Sequence, residues 1–242
     1  MSGIRNKEYS SGAVGAIIVA AGKGSRMGFG YNKVLADLCG RPVIDYTISA
    51  FAYSKLVGTV VLVISPEDEE EITRICKPYC KEVNFILTHG GAERQDSVFN
   101  GIKALPDYVE IVLIHDGARP FADRKLIEDS IKNAVEHGAA CAGLRARDTI
   151  KIADSDNIVM MTPERKSIWQ AQTPQAFKKE IIIDAYKYAL ENSIRETDDA
   201  GVVEKAGFKV VMFEGRYKNI KLTSQEDFLL AEHFITNYDA LI

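Results

Sequence analysis

A chain of 242 residues, 46% apolar and 26% charged, is long enough to bury one sizeable α/β core and has the balance of an ordinary globular enzyme. Its net charge of −4, with both signs spread along the chain, excludes the basic stripe of a nucleic-acid surface, so phosphate recognition must come from a few placed cations and backbone amides. The longest apolar run, AVGAIIVAAG, is far too short to span a bilayer, and the opening MSGIRNKEYSSG lacks the apolar core of a signal peptide; residues 1–12 read as a flexible lead-in to a cytoplasmic protein.

Strand and helix signals then alternate. Residues 13–20 form a continuous apolar, β-branched run, the pattern of a central parallel strand. Pro42 opens a helix over 42–52, and 57–64 is a second buried strand. Ser65-Pro66-Glu67-Asp68 reads as a capped helix start with acids in the first turn, the helix running to about Tyr79. Strands follow at 83–87, 110–114 and 139–144, separated by helices at 94–105 and 124–137. This order predicts a doubly wound, mostly parallel, Rossmann-like sheet with helices on both faces. Ligands of such sheets sit beyond the carboxyl ends of the strands, which directs the search to the loops after Ala20, Leu87, Ile114 and Leu144.

The pattern changes at Asp148. TIKIADSDNIVMM holds two short β-like stretches around the polar turn 154–157, which reads as an inserted β-hairpin arm over about 148–170. A lone hairpin cannot bury its own apolar face, so Ile150, Ile152, Ile158 and Met160 predict packing against a second subunit, giving a homodimer. The core resumes near Gln172, with helices at 179–190 and 198–206, a strand at 210–213 and a last helix at 224–238; residues 13–242 form one domain carrying the arm.

Four segments carry chemistry. In AIIVAAGKGSRMGFGYNK a strand runs into Gly22, Gly24 and Gly28, whose small size lets backbone N–H groups wrap phosphate oxygens, with Arg26 and Lys33 adding charge. The spacing G-x-G-x-x-x-G departs from the dinucleotide fingerprint. In HDGARPF, Asp116 can orient a ribose or substrate hydroxyl or help hold Mg²⁺, Arg119 can pair with Asp116 or with phosphate, and His115 reads as a satisfied core residue. In GGAERQDSV, Gly91 allows close approach of a base and Ser97 can hydrogen-bond it, while Glu93 and Asp96 read as helix caps. Arg147, Asp148, Thr149, Arg165, Thr173, Thr197, Asp198 and Lys221 are scattered, but each lies in a turn beside a predicted strand end. Cys39, Cys76, Cys80 and Cys141, and His89, His115, His137 and His233, form no metal motif; the cysteines read as half-buried thiols of a reducing compartment. No nucleophile–base order is evident, which fits phosphate chemistry run by positioning and charge neutralisation.

AAGKGSRMG, GGAERQDSV, HDGARPF, RDTIK, QTPQAF, TDDAGVVE and GRYKNIKLTSQEDF occur in an order that resembles the 2-C-methyl-D-erythritol 4-phosphate cytidylyltransferase family, from about Ala16 to Phe234. The resemblance implies transfer of CMP from CTP onto the substrate phosphate, releasing pyrophosphate, with Mg²⁺ held mainly by the CTP phosphates. It implies that Arg26 and Lys33 stabilise the transition state at the α-phosphate. By the same resemblance Ala20, Ala21, Gly22, Gly91 and Ser97 contact the nucleotide, and Asp116 and Gly117 lie near the ribose. Thr149, Arg165, Thr173, Thr197 and Lys221 match positions that hold methylerythritol phosphate, Arg165 and Lys221 aiming its phosphate at CTP. The family also implies a homodimer whose arm completes the neighbour's site. The chain departs from the family where Asn32-Lys33-Val34 replaces the frequent Pro-Lys-Gln, and where Ala92 replaces a common acid. Competing readings are a ribitol-5-phosphate cytidylyltransferase, disfavoured by HDGARPF and TDDAGVVE, and a non-catalytic nucleotide-binding domain, disfavoured by Arg26, Lys33, Arg165 and Lys221.

Overall fold

The computed structural model describes residues 11–22 and 32–237. Strand β1 (Val14–Val19) is an interior strand of a seven-stranded sheet. Its alternating side chains divide between the faces: Ala16 and Ile18 enter one apolar cluster, Ile17 another. That two-sided burial is why the strand reads as an unbroken apolar run. Helix α1 (Val43–Ala52) follows a short antiparallel ribbon of β2 (Asp37–Leu38) and β3 (Arg41–Pro42). Strand β4 (Thr59–Ile64), fully buried, pairs parallel with β1, and β5 (Asn84–His89) forms the edge beyond it. Between them the expected single helix is three pieces: a one-turn 3₁₀ helix Pro66–Asp68, α2 (Glu69–Cys76) and a second 3₁₀ turn Lys77–Tyr79. Ser65 does not cap it; its hydroxyl donates to the Ala21 carbonyl, 3.1 Å away.

Helix α3 (Arg94–Ala104) leads to β6 (Ile111–Asp116), which pairs parallel with β1 on the side away from β4. The winding therefore reverses at β1, and the crevice outside the carboxyl ends of β1 and β6 is the expected ligand position. Helix α4 (Arg124–His137) starts where Asp123 accepts from the Leu126 amide at 2.6 Å, and stops at Gly138, whose φ of +89° suits a residue without a side chain. Strand β7 (Ala139–Arg145) follows.

The arm is present as β8 (Ile152–Ala153) and β9 (Val159–Met161), paired antiparallel. Its apolar residues are open: Ile158 is 64% and Met160 69% exposed. The chain then re-enters the sheet as β10 (Trp169–Lys178), the one antiparallel strand of the central sheet, inserted between β6 and β7. The sequence pattern places no strand there, because QAQTPQ is polar and contains Pro174. The strand holds because the buried Gln172, Thr173 and Gln175 side chains each find a partner inside the fold, and the pairing with β7 shifts register between Ala171 and Gln175 around the proline. Helix α5 (Lys179–Glu191), α6 (Asp199–Lys205), β11 (Val211–Glu214) and α7 (Gln225–Thr236) complete the chain. The sheet order is β11-β7-β10-β6-β1-β4-β5. One cluster packs α1, α2 and α4 on one face, another packs α3, α5 and α6 on the opposite face, and a third small cluster seats α7 over Leu38, Val43 and Leu222. Each fully buried Ile or Leu of these clusters contributes about 1.5–3 kcal/mol relative to exposure.

Candidate active site

The ends of β1, β5 and β6 meet where the fold predicts. The Ala20 amide donates to Val63 O at 2.7 Å and the Gly117 amide to Val19 O at 2.9 Å, so the turns after β1 and β6 lie side by side. A side chain at Gly117 would stand 3.0 Å from Val19 O, and one at Gly90 would stand 2.4 Å from the Ala21 Cβ. Glycine is what allows the three turns to touch. Ala20, Ala21, Gly22, Gly91, Ser97, Asp116 and Gly117 thus fall on one rim. Ser97 is buried, its hydroxyl accepting from the Gly91 amide and donating to Glu93 O, both at 3.0 Å. Glu93 and Asp96 form a capping box for α3, as expected. Arg26 and Gly24 lie outside the described residues, and Lys33 is half-buried on the one-turn helix Lys33–Leu35.

The rim is organised around Asp116. Its buried carboxylate faces three cations: Lys221 Nζ at 2.8 Å, Arg94 Nε at 3.2 Å and Arg119 Nε at 3.8 Å. Burial alone would raise its pKa, but Arg94, Lys221 and Arg119 more than offset that and hold it well below the usual carboxylate range. In this structure the carboxylate is the centre of a cluster of three cations. Among the described residues no group of three or more His, Cys, Asp or Glu could hold a metal ion.

Beneath Asp116 lies a buried polar layer. The Thr173 hydroxyl accepts from the Asp116 amide at 3.1 Å and lies 3.0 Å from His115 Nδ1, and His115 Nε2 lies 3.0 Å from Arg119 O. This network assigns the neutral tautomer with the proton on Nε2. Burial drives the His115 pKa down to about 4, so it is neutral near pH 7 and serves as a core residue, in accord with the sequence reading. Arg119 Nη1 donates to Asn219 O at 2.7 Å, and Asn219 Nδ2 donates to Thr173 O at 2.7 Å. Arg119 and Thr173 therefore support Asp116 from within the protein. Lys221 is half-buried at the crevice, anchored by the bond from the Leu222 amide to Ala118 O at 2.9 Å.

The sequence reading gave no role to Arg94 or Asp199. The Arg94 guanidinium grips Asp199 with bonds of 3.2 and 2.8 Å while reaching Asp116, and Tyr186 donates to the same Asp199 carboxylate at 2.6 Å. Asp199 is fully buried. Burial alone would lower the Arg94 pKa, but Asp199 and Asp116 outweigh it and raise it. Gln175 of β10 donates to Asp198 at 2.8 Å and accepts from the Ala200 amide at 2.8 Å, which seats the start of α6 under the site. Thr197, just before it, is exposed. The clue available in sequence was TDDAGVVE meeting GGAERQDSV, but only the fold shows that a charge from each forms one pair.

Thr149 and Arg165 lie apart, exposed in the arm, with Arg165 Nη1 donating to Arg147 O at 3.0 Å. No contact between either residue and the Asp116 cluster is present among the described residues.

The family model for 2-C-methyl-D-erythritol 4-phosphate cytidylyltransferase matches residues 14–237. A protein of that name from Caldanaerobacter subterraneus subsp. tengcongensis is 44% identical over 92% of this chain and 98% of its own length. One from Clostridioides difficile strain 630 is 44% identical over 90% of this chain and 92% of its own. The crystal structure of 4-diphosphocytidyl-2C-methyl-D-erythritol synthase from Anaerococcus prevotii superposes with a TM-score of 0.83 at 35% identity, covering 93% of this chain and 99% of that one. With a mostly parallel sheet that contains one antiparallel strand, glycine turns at its carboxyl edge and a cation cluster beside them, the chain belongs to the 2-C-methyl-D-erythritol 4-phosphate cytidylyltransferase family.

Proposed function

We propose that the enzyme transfers CMP from CTP to 2-C-methyl-D-erythritol 4-phosphate, giving the cytidine-diphospho product and pyrophosphate, a step of isoprenoid biosynthesis. The observation that carries this reading is the cluster of Lys221, Arg94 and Arg119 around Asp116, set beside the turns Ala20–Gly22 and Gly90–Gly91. A phosphate oxygen of the acceptor attacks the α-phosphorus of CTP; the new O–P bond forms as the bond to the β-phosphate oxygen breaks, and pyrophosphate leaves with its electron pair. The acceptor phosphate is already ionised at neutral pH, since its second pKa is about 6, so no general base is required. The obstacle is the meeting of two anions. Arg26 and Lys33 act at the α-phosphate, and Lys221 steers the acceptor phosphate. Mg²⁺ enters with CTP as part of the substrate, held by its phosphate oxygens.

Arg165 supplies the other cation for the acceptor from the neighbouring subunit's arm, with Thr149 beside it. The homodimer reading is supported by the open apolar face of the arm and by Arg165 standing apart from its own Asp116 cluster. No helix among the described residues is long and apolar enough to cross a membrane. Together with family membership and four free thiols, a cytoplasmic enzyme is the reading we adopt.

The test is a pyrophosphate-release assay with CTP, Mg²⁺ and either methylerythritol phosphate or ribitol 5-phosphate. Turnover is expected with the first acceptor, and Lys221→Met is expected to lower kcat/KM by about 10²–10³. Turnover of ribitol phosphate alone would overturn the reading.

A further inference from the structure

Asn32 stands where the glycine-rich segment rejoins the core. It is 7% exposed, and both its Nδ2 hydrogens and its Oδ1 are engaged. Nδ2 donates to Ala20 O at 2.6 Å and to Asp68 Oδ2 at 2.7 Å, while Oδ1 accepts from the Val34 amide at 3.3 Å. The three partners belong to three different parts of the site. Ala20 is where the segment leaves β1, Asp68 is in the turn after β4, and Val34 is the middle residue of the one-turn helix that Lys33 opens. The neighbouring bonds are consistent with a fixed junction: the Ala20 amide is held by Val63 O, Ala21 O accepts from Ser65, and Val34 is buried in the core.

We infer that Asn32 is a positioning residue for the nucleotide, a clasp joining the two ends of the glycine-rich segment twelve residues apart and fixing Lys33 against Ala20, an inference that rests on the CTP-dependent reading above. Asparagine holds such a junction by cross-linking through hydrogen bonds. Asn32 carries no charge and touches none of the reacting atoms in this account. Its effect is on where the Ala20–Gly22 backbone and Lys33 stand relative to one another.

The test measures CTP binding by calorimetry and steady-state kinetics on the full-length protein, with thermal unfolding alongside. Loss of the two Nδ2 bonds in Asn32→Ala is expected to weaken CTP binding by about tenfold, on the scale of one to two hydrogen bonds, and to leave KM for the acceptor within twofold. The exchange Asn32→Asp with Asp68→Asn restores the amide–carboxylate bond between 32 and 68 but leaves Ala20 O facing a carboxylate. It is expected to recover part of the melting temperature lost in Asn32→Ala without recovering CTP affinity. That split separates positioning from a purely structural role. Two results overturn the clasp: a folded Asn32→Ala protein whose CTP affinity lies within twofold of the parent, or equal losses toward CTP and acceptor. A parent that binds CTP yet transfers nothing to the acceptor overturns the proposed reaction and leaves the clasp to be judged on binding. A parent that binds no CTP overturns both.

Discussion

Replacing Asp199 by alanine is the severest single test of how the site is built. The carboxylate is fully buried, takes two bonds from Arg94 at 3.2 and 2.8 Å, and takes the Tyr186 hydroxyl at 2.6 Å. Breaking a buried ion pair from one side costs about 3–5 kcal/mol. The low end applies here, because Arg94 keeps Asp116 and its side chain is 28% exposed. Stranding the Tyr186 hydroxyl adds about 1–3 kcal/mol. The expected loss is therefore roughly 4 kcal/mol. With a urea slope of about 3 kcal/mol/M, the unfolding midpoint falls by about 1.3 M. The measurement is urea unfolding by circular dichroism at one fixed protein concentration, since association would otherwise enter the midpoint. Adding Tyr186→Phe to Asp199→Ala removes the stranded hydroxyl and is expected to recover about 1 kcal/mol. A loss below about 1.5 kcal/mol, or a double variant no more stable than the single one, would refute the claim that the Arg94–Asp199–Tyr186 group is a mutually dependent buried unit.

Protonating buried His115 opposes folding, since its pKa of about 4 lies below the ordinary 6.5. The unfolded chain binds that proton first, so stability is complete above pH 6.5 and is lost as pH falls toward 4, by up to about 3 kcal/mol. Stability measured at pH 7 and 4.5 should differ in the parent and much less in His115→Gln; equal differences would sink the assignment. Asp116, with its lowered pKa, contributes stability above the ordinary 3.8 that is lost only as pH falls further, so it acts below the histidine window. Burial pushes the Cys76 and Cys141 thiols up to about 12, whereas Cys39 and Cys80 are exposed; a thiol reagent on the native protein should therefore modify Cys39 and Cys80 rapidly and the other two only on unfolding. Rapid modification at Cys76 or Cys141, read by peptide mapping, would contradict the burial. On the proposed homodimer, Met160→Asp places a charge on the open face of the arm and should give a monomer in sedimentation with loss of turnover. A parent that sediments as a monomer would remove this role for the arm.

The element order was legible because burial and period are written into composition. Six parallel strands could be found from apolar runs at the right spacing, and the arm from a local switch to short alternating stretches around a polar turn. The rim residues Ala20, Gly91 and Asp116 were legible for the same reason: they follow strand ends, and a doubly wound sheet fixes where strand ends go. Helix starts were partly legible. Asp123 caps α4 as a local signal should, but Ser65 turned its hydroxyl to Ala21 because a neighbouring turn offered a carbonyl.

What lay beyond the sequence was every interaction between groups far apart in the chain. β10 was invisible because its Gln, Thr and Pro residues carry no apolar period; they are stable in mid-sheet only because His115, Asn219 and Asp198 are brought to them. Arg94 and Asp199, 105 positions apart in the chain, carry no sequence signal that links them, yet folding makes them a buried pair that holds Asp116. The sequence by itself determined which backbone turns gather at the carboxyl edge of the sheet, because glycines and strand ends are local properties. Only the tertiary structure decided which charges meet, since an ion pair depends on a distance that chain spacing does not encode.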